Sequence, residues 1–169
     1  MNLNLRSFET FPVDITMDVE ADNIDLGVEG ITFKDLINVK LTIQKVKEEY
    51  YCQGYVFVPI QAECSRCLTL FDSELTGELN FVVKPTESKA IIATDPAEEV
   101  IVLKDNQYIV ELDELIREAL LINVPMKSLC NVECKGICPN CGVNLNEETC
   151  DCKNKEMDDR WEGLKDLLE

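Results

Sequence analysis

Eight of the nine cysteines in this chain fall into spacings that hold metal, and histidine is absent. Cys64-Ser-Arg-Cys67 forms one pair. A second set runs Cys130-x3-Cys134-x3-Cys138-Pro-Asn-Cys141-Gly-x7-Cys150-x-Cys152. Eight thiols divide into two four-cysteine sites, and thiolates in that number select a soft metal, most often structural zinc in a closed tetrahedron. Without histidine the commonest general base and the usual ligand of open zinc sites are both missing. The chain therefore reads as a scaffold built around two zinc ions and not as an enzyme.

The spacing sorts the ligands. Two residues between Cys138 and Cys141 let both sulfurs reach one ion from a tight turn, and Gly142 can take the positive φ that turns backbone N–H groups toward sulfur. Cys150 and Cys152 follow far enough downstream to turn back and complete a small zinc ribbon. Dithiol redox chemistry is the rival for such a pair, but Gly136, Pro139 and Gly142 break the helix that a redox motif would start. Cys64, Cys67, Cys130 and Cys134 remain for the other site, which then orders a long loop. A partition in which Cys130 and Cys134 join the ribbon ligands fits the spacing as well. Cys52 lies in line with Val56 and Val58 and reads as a buried core thiol.

Net charge is −17. Residues 1–30 hold seven acids against Arg6 alone, and each zinc tetrathiolate would add roughly −2. Such a field repels phosphates and disfavours a broad RNA or DNA footprint; a basic protein partner suits it better, and solubility is the plainer use of the charge. Arg66, Lys127 and Lys135 flank the first four cysteines. They form either a confined partner-binding patch or a local offset to thiolate charge. Tyr50, Tyr51 and Tyr55 could stack on bases, though aromatics are ordinary strand residues.

The first half is β-structure by period. Val13, Ile15, Met17 and Val19 alternate with polar residues, as do Val39, Leu41 and Ile43. A strand follows over Tyr51–Ala62, and Leu75, Gly77, Leu79, Phe81 and Val83 continue the pattern after the Cys64/Cys67 turn. Pro85–Glu99 reads as an acidic loop. Val100–Leu103 and Tyr108–Val110 suggest a hairpin, and Asp113 an N-cap for a helix striped with Leu115, Ile116, Ala119 and Leu120. Pro125 closes that segment. Asp159 and Glu162 have capping-box spacing for a last helix bearing Trp161, Leu164, Leu167 and Leu168.

The expected fold is α+β: an antiparallel β-rich core (sheet or partly open barrel), one or two short helices, and a cysteine-rich, zinc-ribbon-like C-terminal region. The boundaries are 1–129 for the core, with its helix near 113–121, and 130–169 for the ribbon and last helix packed on it. No apolar run is long enough for a membrane span, and Met1–Arg6 lacks the pattern of a secretory signal. A cytoplasmic address with reduced thiols is the expectation.

The order of motifs resembles a known family. A β-rich half ends in Cys64-x-Arg-Cys67, followed by an acidic loop and a helix leading into Asn123-Val124-Pro125-Met126. Then come Cys130, Cys134-Lys-Gly-Ile-Cys138-Pro-x-Cys141-Gly-x-Asn-Leu-Asn146 and Asp158-Asp159-Arg160-Trp161-x-x-Leu164. This is similar to the YceD-like family, the large ribosomal RNA subunit accumulation proteins of bacteria and plastids. The resemblance covers nearly the whole chain. It implies a non-enzymatic role in synthesis, processing or stability of 23S rRNA. The implied partner is the assembling large ribosomal subunit or a basic ribosomal protein, with direct RNA contact limited or absent and no membrane or small-molecule substrate. The competing readings are a nucleic-acid-binding zinc ribbon and a dithiol or iron–sulfur redox protein. Some members of the family lack the Cys138–Cys152 quartet, which treats the two sites as separable.

Overall fold

The computed structural model describes residues 1–21, 24–85, 99–103 and 108–152. The strands are β1 (Asn2–Asn4), β2 (Val13–Val19), β3 (Ile31–Phe33), β4 (Ile37–Val46), β5 (Glu49–Glu63), β6 (Leu70–Pro85), β7 (Glu99–Leu103) and β8 (Ile109–Glu111); apolar residues alternate with polar ones in β2, β4, β5 and β6. A helix α1 (Asp113–Ile122) follows. Six strands form one sheet in the order β2-β4-β5-β6-β7, with β3 paired to β5; β1 and β8 pair separately.

The pleat decides what is buried. Along β5, Cys52, Val56, Val58, Ile60 and Ala62 point inward, and on β6 Leu75, Leu79, Phe81 and Val83 do the same. Each large side chain removed from water contributes about 1.5–3 kcal/mol. The helix lays Leu115, Ile116, Ala119 and Leu120 on this face and packs against β6. Gly77 permits the approach: a Cβ there would lie 2.5 Å from the carbonyl oxygen of Ala119 and 2.9 Å from Val56. β5 and β6 are the longest strands, 15 and 16 residues, paired antiparallel from Tyr50↔Val83 to Glu63↔Leu70. They end together at the Cys64–Cys67 turn, so the pair sits at the tip of the longest hairpin in the molecule's described residues.

Two sequence expectations change, and the reading of the tyrosines narrows. Val100–Leu103 and Tyr108–Val110 do not make a hairpin: β7 runs parallel to β6, with Phe81 opposite Glu99, and β8 pairs with β1, with Leu3 opposite Val110. Alternation identifies a strand but not its neighbour. A parallel neighbour needs a connection of about a dozen residues, which residues 86–98 supply; the sheet is mixed, not purely antiparallel. Asp113 is the first helical residue and not the cap, a position held by Leu112 with no side-chain cap bond. Its carboxylate suits the positive end of the helix dipole instead. Tyr50 is buried in the core against Phe11 and Tyr108, so only Tyr51 and Tyr55 of that trio face outward. The expected last helix, and the acidic loop apart from its two ends, lie outside the described residues.

Candidate metal centre

The hairpin tip is a tight knuckle. Cys64 donates its N–H to the Thr69 carbonyl at 3.0 Å, Leu68 donates to the Cys64 carbonyl at 2.9 Å, and Leu68 takes φ of 60° to close the turn. The chain leaving α1 is fastened to this knuckle by Ser65 N–H donating to Ser128 O at 2.8 Å. That contact delivers Cys130 and Cys134 from the far side. Cys134 Sγ comes to 3.8 Å from Cys64 Sγ, and Cys130 Sγ to 3.6 Å from Cys67 Sγ. All four sulfurs lie within 4.8 Å of one another. Cys64, Cys67 and Cys134 are buried, packed by Phe71 and Leu129, while Cys130 is exposed.

The second group is assembled locally. Gly136, at φ 78°, passes 3.1 Å from the Arg66 carbonyl where a Cβ would stand, and Ile137 donates to that carbonyl at 3.2 Å. The chain then turns through Cys138–Cys141, with Gly142 N–H on the Cys138 carbonyl at 2.9 Å and Cys138 N–H on the Val143 carbonyl at 2.8 Å. A lone antiparallel bridge joins Ile137 and Asn144. Cys138, Cys141, Cys150 and Cys152 again bring four sulfurs within 4.8 Å of one another, with Cys138 buried and Cys141 and Cys152 exposed.

These dimensions fit one ion per group. A tetrahedron with metal–sulfur bonds of about 2.3 Å places its sulfurs about 3.8 Å apart, whereas a disulfide would need about 2.05 Å. The same spans leave no room for a multi-iron cluster between the sulfurs. All nine cysteines are free thiols. The surroundings favour thiolate at particular atoms. Burial opposes ionisation of Cys64, yet N–H groups of Cys130, Cys67 and Arg66 directed at its sulfur bring the thiol down to about 6. The hydroxyl and N–H of Thr69 hold Cys67 below its ordinary value. Cys130 keeps its proton on the Cys67 sulfur and is pushed up to about 12. In the second group the N–H groups of Cys141 and Asn140 bring Cys138 to about 6, while the Cys141 sulfur sends Cys152 to about 12. Sulfurs this close cannot all carry charge without a cation among them, and a dication would displace the retained protons.

The flanking cations differ. Arg66 donates from Nη1 to the carbonyl oxygens of Cys134 at 2.8 Å and Val132 at 3.3 Å, which makes it part of the frame. Lys127 and Lys135 are exposed. Cys52 stands apart in the core, where burial pushes its thiol up to about 12. Sequence reasoning missed Thr69, Asn144 and Asn146. Asn146 donates from Nδ2 to Cys134 Sγ at 3.2 Å and to Asn144 Oδ1 at 2.9 Å, and accepts from Lys135 N–H at 2.8 Å. Both asparagines lie in the Cys141-Gly-x-Asn-Leu-Asn146 run that carries the family resemblance, which marks them without giving their role.

Among the described residues a mixed β-sheet and a helix carry two four-thiol clusters that could each hold a metal ion, which defines a class of small cysteine-clustered scaffold. Residues 34–168 match the family described as "Large ribosomal RNA subunit accumulation protein YceD", and the chain belongs to that family. Uncharacterised proteins of Mycobacterium bovis and Mycobacterium tuberculosis are 29% identical over 146 residues, covering 85% of this chain and 68% of theirs. A chloroplastic protein of Arabidopsis thaliana, named large ribosomal RNA subunit accumulation protein YCED homolog 1, is 33% identical over 60 residues, 36% of this chain and 19% of its own. No solved structure matches. The family is named for accumulation of large-subunit rRNA and not for a catalysed reaction. Among the described residues no helix is long and apolar enough to cross a membrane.

Proposed function

We propose that this chain is a cytoplasmic, non-enzymatic zinc protein that supports synthesis, processing or stability of 23S rRNA during assembly of the large ribosomal subunit. The observation that carries the reading is the pair of four-sulfur clusters in a chain of the YceD family. Zinc is the ion of choice because closed four-thiolate sites without histidine are its structural habit. Cys64, Cys67, Cys130 and Cys134 take one ion; Cys138, Cys141, Cys150 and Cys152 take the other, in a ribbon-like loop. The C-terminal segment from Cys130 onward acts as a metal-held unit on the core.

A net charge of −17 favours meeting the particle through a basic ribosomal protein, or through one confined contact at Lys127 and Lys135 beside Arg66. Contact with bare rRNA is then limited. The test is depletion of the chain in its host, followed by sedimentation and rRNA quantification. Loss of 23S relative to 16S rRNA, with the tagged chain on precursor large subunits and the Lys127→Glu/Lys135→Glu variant released from them, supports the reading. Unchanged 23S levels overturn the role. Tight, steeply salt-dependent binding to naked rRNA would replace the protein contact with an RNA one.

A further inference from the structure

We propose that Asn146 is a positioning residue for the first cysteine cluster, so that the loop of the second cluster sets how firmly the first holds its metal. The proposal rests on reading both clusters as metal sites. Asn146 lies between Cys141 and Cys150 in sequence, yet its side chain reaches Cys134 of the other cluster at 3.2 Å.

The hydrogen bonds leave one orientation for this amide. A backbone N–H can only donate, so the atom 2.8 Å from Lys135 N must be Oδ1. The NH2 group then has two protons and two acceptors: Asn144 Oδ1 at 2.9 Å and Cys134 Sγ at 3.2 Å. Asn144 is itself fixed, with Nδ2 donating to Glu147 Oε1 at 2.9 Å and toward Thr69 Oγ1 at 3.4 Å, and Oδ1 accepting Asn146 N–H at 3.0 Å. Leu145 N–H on the Gly136 carbonyl at 2.9 Å closes the loop onto the segment that carries Cys134. The loop is thus tied to both sides of the first cluster, at Cys134 and beside Cys67.

An N–H directed at a metal thiolate withdraws charge from sulfur and fixes the ligand's direction. Cys134 should attack electrophiles more slowly, and its ion should leave more slowly, than in a cluster without that donor. Losing an outer partner of this kind lowers metal affinity by roughly 10- to 100-fold.

Cadmium-113 in place of the native ion gives a readout independent of cellular activity. The full chain should take up two ions with two resonances, and Cys150→Ser should remove the second cluster's. The other resonance should show through-bond coupling to the Asn146 side-chain amide proton. Asn146→Asp keeps the acceptor for Lys135 but turns the donor into a carboxylate. It should shift that resonance, abolish the coupling and speed chelator extraction of that ion at least tenfold, with the second resonance in place. Absence of coupling in the unmodified chain, or an effect confined to the second cluster, would overturn the proposal and leave Asn146 a loop residue. A chain that takes up no cadmium would overturn the metal reading itself, a different failure.

Discussion

Arg66 Nη1 lies 2.8 Å from the carbonyl oxygen of Cys134, 68 residues further along the chain. The contact joins the two halves of the first cluster from outside, because Arg66 sits between the ligands Cys64 and Cys67. A guanidinium can serve two carbonyls at once, here those of Cys134 and Val132. Arg66→Ala should therefore cost about 1–2 kcal/mol of stability and make one of two bound ions easier to extract. Arg66→Lys should recover only part. Thermal unfolding and chelator competition measure both. If Arg66→Ala leaves them unchanged and only weakens particle association, the side chain is a partner contact and not a strut.

The division of the sulfurs makes a stoichiometric forecast. Cys150→Ser should drop bound metal from two ions to one, because no other cluster thiol is left over to replace it. Elemental analysis of purified protein reads this directly. Loss of both ions, or of neither, contradicts the grouping of Cys138, Cys141, Cys150 and Cys152.

Much of this was legible in the chain. Period-two alternation located β2, β4, β5 and β6 because each has one wet and one dry face. Thiol spacing marked eight cysteines but left Cys130 and Cys134 open to either group; the fold is what brings them beside Cys64 and Cys67. What the sequence did not reveal was relational. Nothing local to Val100–Leu103 says that it joins β6 in parallel while Ile109–Glu111 crosses to β1. β1 and β3, three residues each, are too short to show a period. Arg66 read as a partner contact or an offset to thiolate charge because its acceptors are backbone carbonyls, which a sequence does not display. The role of Asn146 was not legible because its target is a sulfur of the other cluster, brought near only by folding.

Cys52 should behave unlike the other eight. Burial raises its thiol from the ordinary 9.0 to about 12, so the folded chain holds that proton more tightly than the unfolded one. Its contribution to stability is complete below about pH 9 and declines as pH rises from there toward 12. In native protein Cys52 should resist iodoacetamide, seen by peptide mass spectrometry. Cys52→Ala should lower stability at neutral pH by about 1–2 kcal/mol while flattening the alkaline loss. Rapid native labelling of Cys52 would show that the core opens more readily than its packing implies.

Metal removal should loosen one end of the molecule and spare the other. Leu41, Val56, Phe81, Ile116 and their neighbours form one continuous core, while Cys64, Cys67 and Cys134 form a second small cluster with Leu129 and with Phe71, which packs against both. Between Cys130 and Cys152 the buried hydrophobic side chains are Cys134 and Cys138, too little apolar surface to order that stretch unaided. A chelator should therefore release the amides of Cys134, Ile137, Cys138 and Leu145 to fast hydrogen exchange, while those of β4 and β5 stay protected. Acid should act in the same direction, since falling pH protonates thiolates and ejects the ions, with Cys64 and Cys138 the last to regain protons because their N–H donors bring them to about 6. Exchange of the β4–β5 ladder on chelation would mean instead that the hairpin depends on its metal-bound tip. Continued protection at Cys134 would mean that hydrogen bonds alone hold the loop.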